Sequence, residues 1–74
     1  MNTLWTIYSR PPDYPHHVVV CECVVGERGR VRFVGGCALF PRIEDAHEWL
    51  MANGISVRLP RQDGDDPCIV ENWL

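Results

Sequence analysis

Four cysteines and three histidines are the side chains of this chain that offer sulfur and nitrogen ligands to a metal such as zinc. Structural zinc sites usually take cysteines from C-x(2–4)-C turns that occur in pairs. Here Cys21 and Cys23 are separated by one residue inside an apolar stretch, and Cys37 and Cys68 are isolated. We therefore interpret the cysteines as small buried apolar side chains. We predict no metal and no other cofactor.

The same residues offer little for catalysis. A nucleophilic cysteine needs a base within hydrogen-bond reach, and no pattern brings His47 to a thiol. No pair of carboxylates lies in an apolar setting that would tune one of them as an acid. Gly26, Gly29, Gly35 and Gly36 do not fit the glycine-rich loops that bind phosphate. We predict that the chain is not an enzyme.

The segment Asp63-Gly64-Asp65-Asp66 has the composition of a calcium-binding loop. Such a loop needs ligands at alternating positions and a bidentate glutamate at its twelfth position. The twelfth residue counted from Asp63 is Leu74, so that ligand is missing. We interpret the segment as a solvated acidic turn.

Pro11-Pro12-Asp13-Tyr14 matches the P-P-x-Y peptides that WW-type domains bind in the polyproline II conformation. The match is short and lies between two predicted strands. We expect an ordered connector with Tyr14 folded back on the core. Recognition of the segment by a partner is the alternative.

Negative charge is concentrated in the second half of the chain. Residues 1–42 contain five arginines against three carboxylates, whereas residues 43–74 contain two arginines against seven carboxylates. Because the pI is near 5.4, the basic footprint of phosphate binding is missing, and we expect no direct contact with nucleic acid. An acidic surface favours a protein partner with a basic surface. The candidate partner-binding residues are the carboxylates Glu44, Asp45, Glu48, Asp63, Asp65, Asp66 and Glu71.

The apolar pattern predicts the element order β-β-β-α-β-β. Strands are expected at residues 3–8, 17–25, 30–40, 55–59 and 68–74, with a hairpin turn at 26–29 and a bulge or bend at Gly35-Gly36. Between the third and fourth strands, Ile43, Ala46, Trp49 and Leu50 recur with helical spacing and are followed by the stop signal Asn53-Gly54. Glu44, Asp45 and Glu48 are expected on the helix face opposite Trp49. The fold class is therefore α+β, a small antiparallel sheet with one helix packed on one face.

The length of 74 residues is enough for a single domain, residues 1–74, with a modest core. Trp5, Trp49 and Trp73 are expected to anchor that core, and a tryptophan at the surface would make a good contact anchor. The first residues do not have the pattern of a signal peptide, and no stretch approaches the ~18–20 apolar residues that span a bilayer. We expect a cytoplasmic protein, without membrane association, whose cysteines stay reduced.

Trp5-Thr6-Ile7-Tyr8 is followed by Pro12-Asp13-Tyr14-Pro15, and the sequence at residues 65–74 is DDPCIVENWL. These ends resemble W-T-I-Y…P-x-D-Y-P and D-D-P-x-I-V-E-x-W-L in short, uncharacterised proteins of proteobacteria and their prophages. The chain departs from that group at Arg42-Ile43, where the group has Thr-Leu before the helix. The resemblance implies no activity. A looser similarity, in style and without a shared motif, is to acidic anti-CRISPR proteins, which are small and phage-borne.

We therefore expect a non-catalytic protein-binding module. Its most concrete form is a phage-borne, anti-CRISPR-like inhibitor in the cytoplasm of a bacterial host. Its acidic surface would block the basic nucleic-acid-binding site of a defence complex such as a CRISPR effector. The alternative is a small housekeeping domain or homodimer whose acidic face is merely solvated.

Overall fold

The computed structural model describes residues 2–26, 31–61 and 67–74. In chain order the elements are β1 (Asn2–Ser9), β2 (Val18–Val25), β3 (Val31–Phe40), α1 (Ile43–Ala52), β4 (Arg58–Pro60) and β5 (Ile69–Trp73). The strands form an antiparallel sheet with the spatial order β3-β2-β1-β5-β4. The predicted α+β class and element order are confirmed.

The core lies between α1 and one face of the sheet. Side chains alternate between the two faces of a strand, so that Val18 and Val20 of β2 point toward the helix, while Val19 points away from it. Of the three tryptophans, Trp73 is buried, and Trp5 and Trp49 are half-buried against the core. The buried cluster consists of Ile7, Val18, Val20, Ala46, Leu50, Ile55 and Trp73.

The predicted end of the helix is confirmed. Asn53 donates its backbone N–H to the carbonyl oxygens of Trp49 and Leu50, at 3.2 and 3.1 Å. Gly54 has φ +79°, a left-handed conformation that glycine adopts at low cost after a helix. The expected strand at 55–59 is wrong in its first residues. Ile55 is buried and donates its N–H to the carbonyl of Leu50. The strand itself begins at Arg58, directly after Val57, which exchanges two backbone hydrogen bonds with Leu74.

A bulge interrupts the pairing of β2 with β3. Cys21 pairs with Cys37 and Cys23 pairs with Phe33, so residues 34–36 face Glu22 alone. The sequence prediction of a bulge at Gly35-Gly36 is confirmed. The predicted hairpin turn at 26–29 lies, apart from Gly26, outside the described residues.

Cys21 and Cys37 form a disulfide, with an S–S distance of 2.13 Å and a Cα–Cα distance of 4.4 Å. The prediction that all cysteines stay reduced is therefore wrong. The register after the bulge places these two residues directly opposite each other on neighbouring strands, which is close enough for a disulfide. Cys23, which is buried, and Cys68, which is partly exposed, are not part of a disulfide.

Helix α1 has ten residues. Within the described parts of the chain, no helix has the length and apolar character needed to cross a membrane.

Candidate functional site

The outward side of α1 carries two exposed carboxylates, Glu44 and Glu48. The helix is held in this orientation because Ala46 and Leu50 are fully buried on its opposite side. Neither glutamate has an ion pair within the part of the chain that the structure describes. They are four residues apart, so their like charges are neighbours on the helix surface. This pair is the acidic helix face, the part of the predicted patch that is free to meet a cation.

Asp45 differs from these two glutamates. Its Oδ2 lies 3.4 Å from Nε of Arg42, the residue just before the helix. Hydrogen bonding to Asp45, with the added negative charge of Asp45, Glu44 and Glu48, raises the pKa of Arg42. The sequence predicted Glu44, Asp45 and Glu48 on the helix face opposite Trp49. For Asp45 this prediction is wrong, because Asp45 and Trp49 are four residues apart and therefore share one side of the helix. Asp45 therefore flanks Trp49.

Glu71, the last member of the predicted partner-binding set, contacts other residues of the same chain. Its carboxylate bonds to Nε2 of His47 and accepts a hydrogen bond from Nε1 of Trp73 at 3.2 Å. Nη1 of Arg58 lies 3.6 Å from Oε2 of Glu71, and the side chain of Glu71 is only 12% exposed. Ile7, the strand partner of Glu71, is in the core. The structure therefore uses Glu71 to connect α1, β4 and β5.

The remaining predicted carboxylates, Asp63, Asp65 and Asp66, lie outside the described residues. The prediction that all the acidic residues form one patch therefore stays a prediction. What the structure brings together is the pair Glu44 and Glu48, with Asp45 beside them in its bond to Arg42.

The bond between His47 and Glu71 has the form of a base held by a carboxylate. Such a pair needs a nucleophile on the same side of the sheet. The free thiol of Cys23 lies on the opposite side, where its Sγ is 3.7 Å from Oγ1 of Thr6. Burial raises the pKa of the Cys23 thiol, and this favours the unreactive protonated form. We assign the His47–Glu71 bond to the packing of the helix on the sheet.

Among the described residues, those that could hold a metal are dispersed. Cys21 and Cys37 are joined to each other. Over residues 2–26, 31–61 and 67–74, no group of three or more His, Cys, Asp or Glu side chains is placed to hold a metal ion.

The P-P-x-Y segment forms a turn. The backbone N–H of Tyr14 donates to the carbonyl of Pro11 at 2.9 Å, and that of His17 donates to Tyr14 at 3.2 Å. A ligand of a WW-type groove is an extended polyproline II helix, so this turn would have to open before it could bind. Tyr14 lines a shallow cavity with Val19 on the sheet face away from α1, although its side chain is 44% exposed.

The chain matches no family model, no curated protein and no solved structure. Support for the candidate site therefore comes from the geometry of this chain alone.

Proposed function

We propose that this chain is a non-catalytic binding module that presents the acidic helix face, Glu44 and Glu48, to a basic surface of a partner protein. The observation that carries the proposal is that both carboxylates are exposed and lack an ion pair among the described residues. Helix α1 is held on the core by Ala46 and Leu50. Because its backbone needs little reordering when a partner binds, the entropic cost of association is lower. Complementary charges of this kind also increase the rate of association.

The resemblance in style to anti-CRISPR proteins suggests a specific partner. The acidic helix face would occupy a site that normally binds the phosphates of a nucleic acid, in a bacterial defence complex such as a CRISPR effector. Arginine and lysine side chains that bind phosphates also bind carboxylates. The protein would then inhibit the complex by competing with its nucleic acid.

The experiment measures displacement of a labelled target DNA from purified CRISPR effector complexes of several types, followed by fluorescence anisotropy. The test variant is Glu44→Arg with Glu48→Arg. We expect wild type to displace the DNA and the test variant to be weaker by about tenfold or more, since interfacial charge pairs contribute about 1.5 kcal/mol or more. If wild type displaces DNA from none of the complexes, inhibition of a CRISPR effector is excluded.

A matched control separates the acidic helix face from net charge. Asp13 is an exposed carboxylate of the β1–β2 connector and lines the cavity on the sheet face away from α1. Asp13→Arg changes the net charge as much as Glu48→Arg alone does. Binding of an octa-arginine peptide should weaken more in Glu48→Arg than in Asp13→Arg. Equal weakening in the two variants would mean that only bulk charge matters, and the proposal would be wrong.

The alternative function is a homodimer with a solvated acidic face. Strand β3 is at an edge of the sheet order, and it exposes Val34 and Leu39, at 45% and 43%. An exposed edge of this kind can pair with another strand. A concentration-dependent doubling of the mass in sedimentation equilibrium, together with unchanged peptide binding in Glu48→Arg, would favour this alternative.

A further inference from the structure

A pocket of about 300 Å³ opens on the sheet face that carries α1. Trp5 of β1 and Trp49 of α1 form its aromatic walls, with ring centroids 5.6 Å apart in an edge-to-face arrangement. Phe40 packs against Trp49 at 5.8 Å, so the position of the Trp49 ring is supported by a second aromatic side chain. We call this feature the Trp5–Trp49 pocket.

A carboxylate lies inside this aromatic pocket. Glu22 lines the pocket and is the direct strand partner of Trp5, a placement that brings the two side chains next to each other on the same face. The side chain is half-buried, and it has no ion pair or hydrogen bond within the described part of the chain. A carboxylate without an ion pair keeps its acceptor oxygens available for a cationic ligand.

Gly35 and Gly36, which lie in the bulge of β3, line the floor of the pocket. A Cβ atom added at Gly35 would lie 3.9 Å from Oε1 of Glu22, an ordinary van der Waals contact, so this glycine lies beside the carboxylate. A Cβ atom added at Gly36 would meet no atom within 4 Å, so a larger side chain at this position has room at the pocket.

We propose that the Trp5–Trp49 pocket binds one arginine side chain of the partner protein. A guanidinium group stacks on an indole face, where the attraction between a cation and an aromatic ring is strongest for tryptophan. The same planar group can donate two parallel hydrogen bonds to the carboxylate of Glu22. The volume is at the lower limit for ligand pockets, so it suits a single side chain.

The pocket lies beside α1, and this position indicates that the bound arginine is a side chain of the partner protein. Helical spacing places Asp45 between Glu48 and Trp49 around α1. A basic surface that covers Glu44 and Glu48 and extends past Asp45 therefore reaches the mouth of the pocket. This inference rests on the proposed function, to which it adds a specific anchor.

The pocket can be tested without the partner, with the N-acetyl-N′-methylamide of arginine as the probe. The readout is the set of indole N–H signals in ¹H–¹⁵N NMR spectra. We expect saturable shifts at Trp5 and Trp49 and none at Trp73, whose Nε1 is bonded to Glu71. The same derivative of citrulline, which has the shape of arginine without its charge, should cause no shift. Equal shifts with citrulline would overturn the inference.

Two variants address the two halves of the pocket. Glu22→Gln removes the charge and keeps the size of the side chain, and Gly36→Val fills the floor. Each should weaken binding of the arginine probe by about tenfold or more, as expected for the loss of charged hydrogen bonds. An unchanged urea midpoint would show that both variants fold. Wild-type affinity in Glu22→Gln would show that the pocket does not bind arginine.

The partner assay separates this inference from the proposed function. If Glu22→Gln displaces DNA from the effector complex as well as wild type does, the arginine inference is wrong, while the acidic helix face can still be correct. If the arginine probe binds through Glu22 but the variant with Glu44→Arg and Glu48→Arg inhibits normally, the proposed function is wrong and the pocket still binds arginine. Reduced inhibition by Glu22→Gln and by Glu44→Arg with Glu48→Arg supports both the arginine inference and the proposed function.

Discussion

His47 of α1 and Glu71 of β5 bond to each other across the interface between the helix and the sheet. Glu71 also accepts the indole hydrogen bond of Trp73 and lies near Arg58. One carboxylate thus joins three elements at the border of the core, where Trp73 is buried. This arrangement predicts a structural role for a residue whose charge alone suggested a binding role.

The first prediction is that Glu71→Ala lowers the free energy of unfolding by about 1–3 kcal/mol, because His47 and the indole N–H of Trp73 lose their acceptor. Urea denaturation measures the change. Glu48→Ala is the control, since it removes an exposed glutamate and should change stability by less than about 0.5 kcal/mol. Equal effects of the two substitutions would contradict the structural role of Glu71.

The fold was predictable where local patterns decide it. Alternation in β2, the helical repeat from Ile43 to Leu50 and the stop at Gly54 all depend on neighbours in the chain. The spatial order was not predictable in this way, because β5 pairs with β1 through contacts between residues more than sixty positions apart, such as Trp5 and Trp73. The prediction of a strand at 55–59 was wrong in its first residues for a related reason. Ile55 fits both the alternation of a strand and a buried position after a helix.

The second prediction concerns the disulfide between Cys21 and Cys37. Its removal in Cys21→Ala with Cys37→Ala should lower the free energy of unfolding by up to about 3 kcal/mol, the value expected for a closed loop of this length. Unfolding is measured by urea with and without dithiothreitol. The reductant should destabilise the wild type and leave the double variant unchanged. Mass spectrometry after alkylation without reductant should find two modified cysteines per chain, and four would contradict the disulfide.

The third prediction is a pH dependence that arises at Cys23. Burial raises the pKa of this thiol, the hydrogen bond with Thr6 partly opposes the shift, and the charge of Glu22 adds to it. The folded state therefore retains the proton at a pH where the unfolded state loses it. Stability from this group is fully present below the unfolded pKa of about 8.5 and is lost as the pH rises toward the folded value.

Urea midpoints measured from pH 7 to 9.5 test this dependence. The decrease with pH should be steeper in the wild type than in Cys23→Ala, which has no thiol at this position and keeps Cys68 as a common background. Parallel curves would show that the environment of Cys23 does not shift its titration.

The candidate site was predictable only in part. Acidic residues at helical spacing indicated Glu44 and Glu48, which the structure places at the surface. The same argument could not separate Asp45, because its partner Arg42 precedes the helix. The Trp5–Trp49 pocket escaped sequence reasoning because its parts come from β1, β2, β3 and α1. The signals that could have found it are the Gly35-Gly36 pair and the single glutamate within the apolar strand β2.

The fourth prediction uses two glycines that both have open space around an added Cβ atom but differ in backbone conformation. Gly54 has φ +79°, and a Cβ added there meets no atom within 4 Å, as at Gly36. Gly54→Ala should therefore lower the free energy of unfolding by about 1–2 kcal/mol through conformational strain alone. Gly36→Ala, at an ordinary φ, should be neutral or slightly stabilising because it restricts the unfolded chain. Urea denaturation of both variants decides the matter: a loss at Gly36 as large as that at Gly54 would mean that space, and not φ, governs both positions.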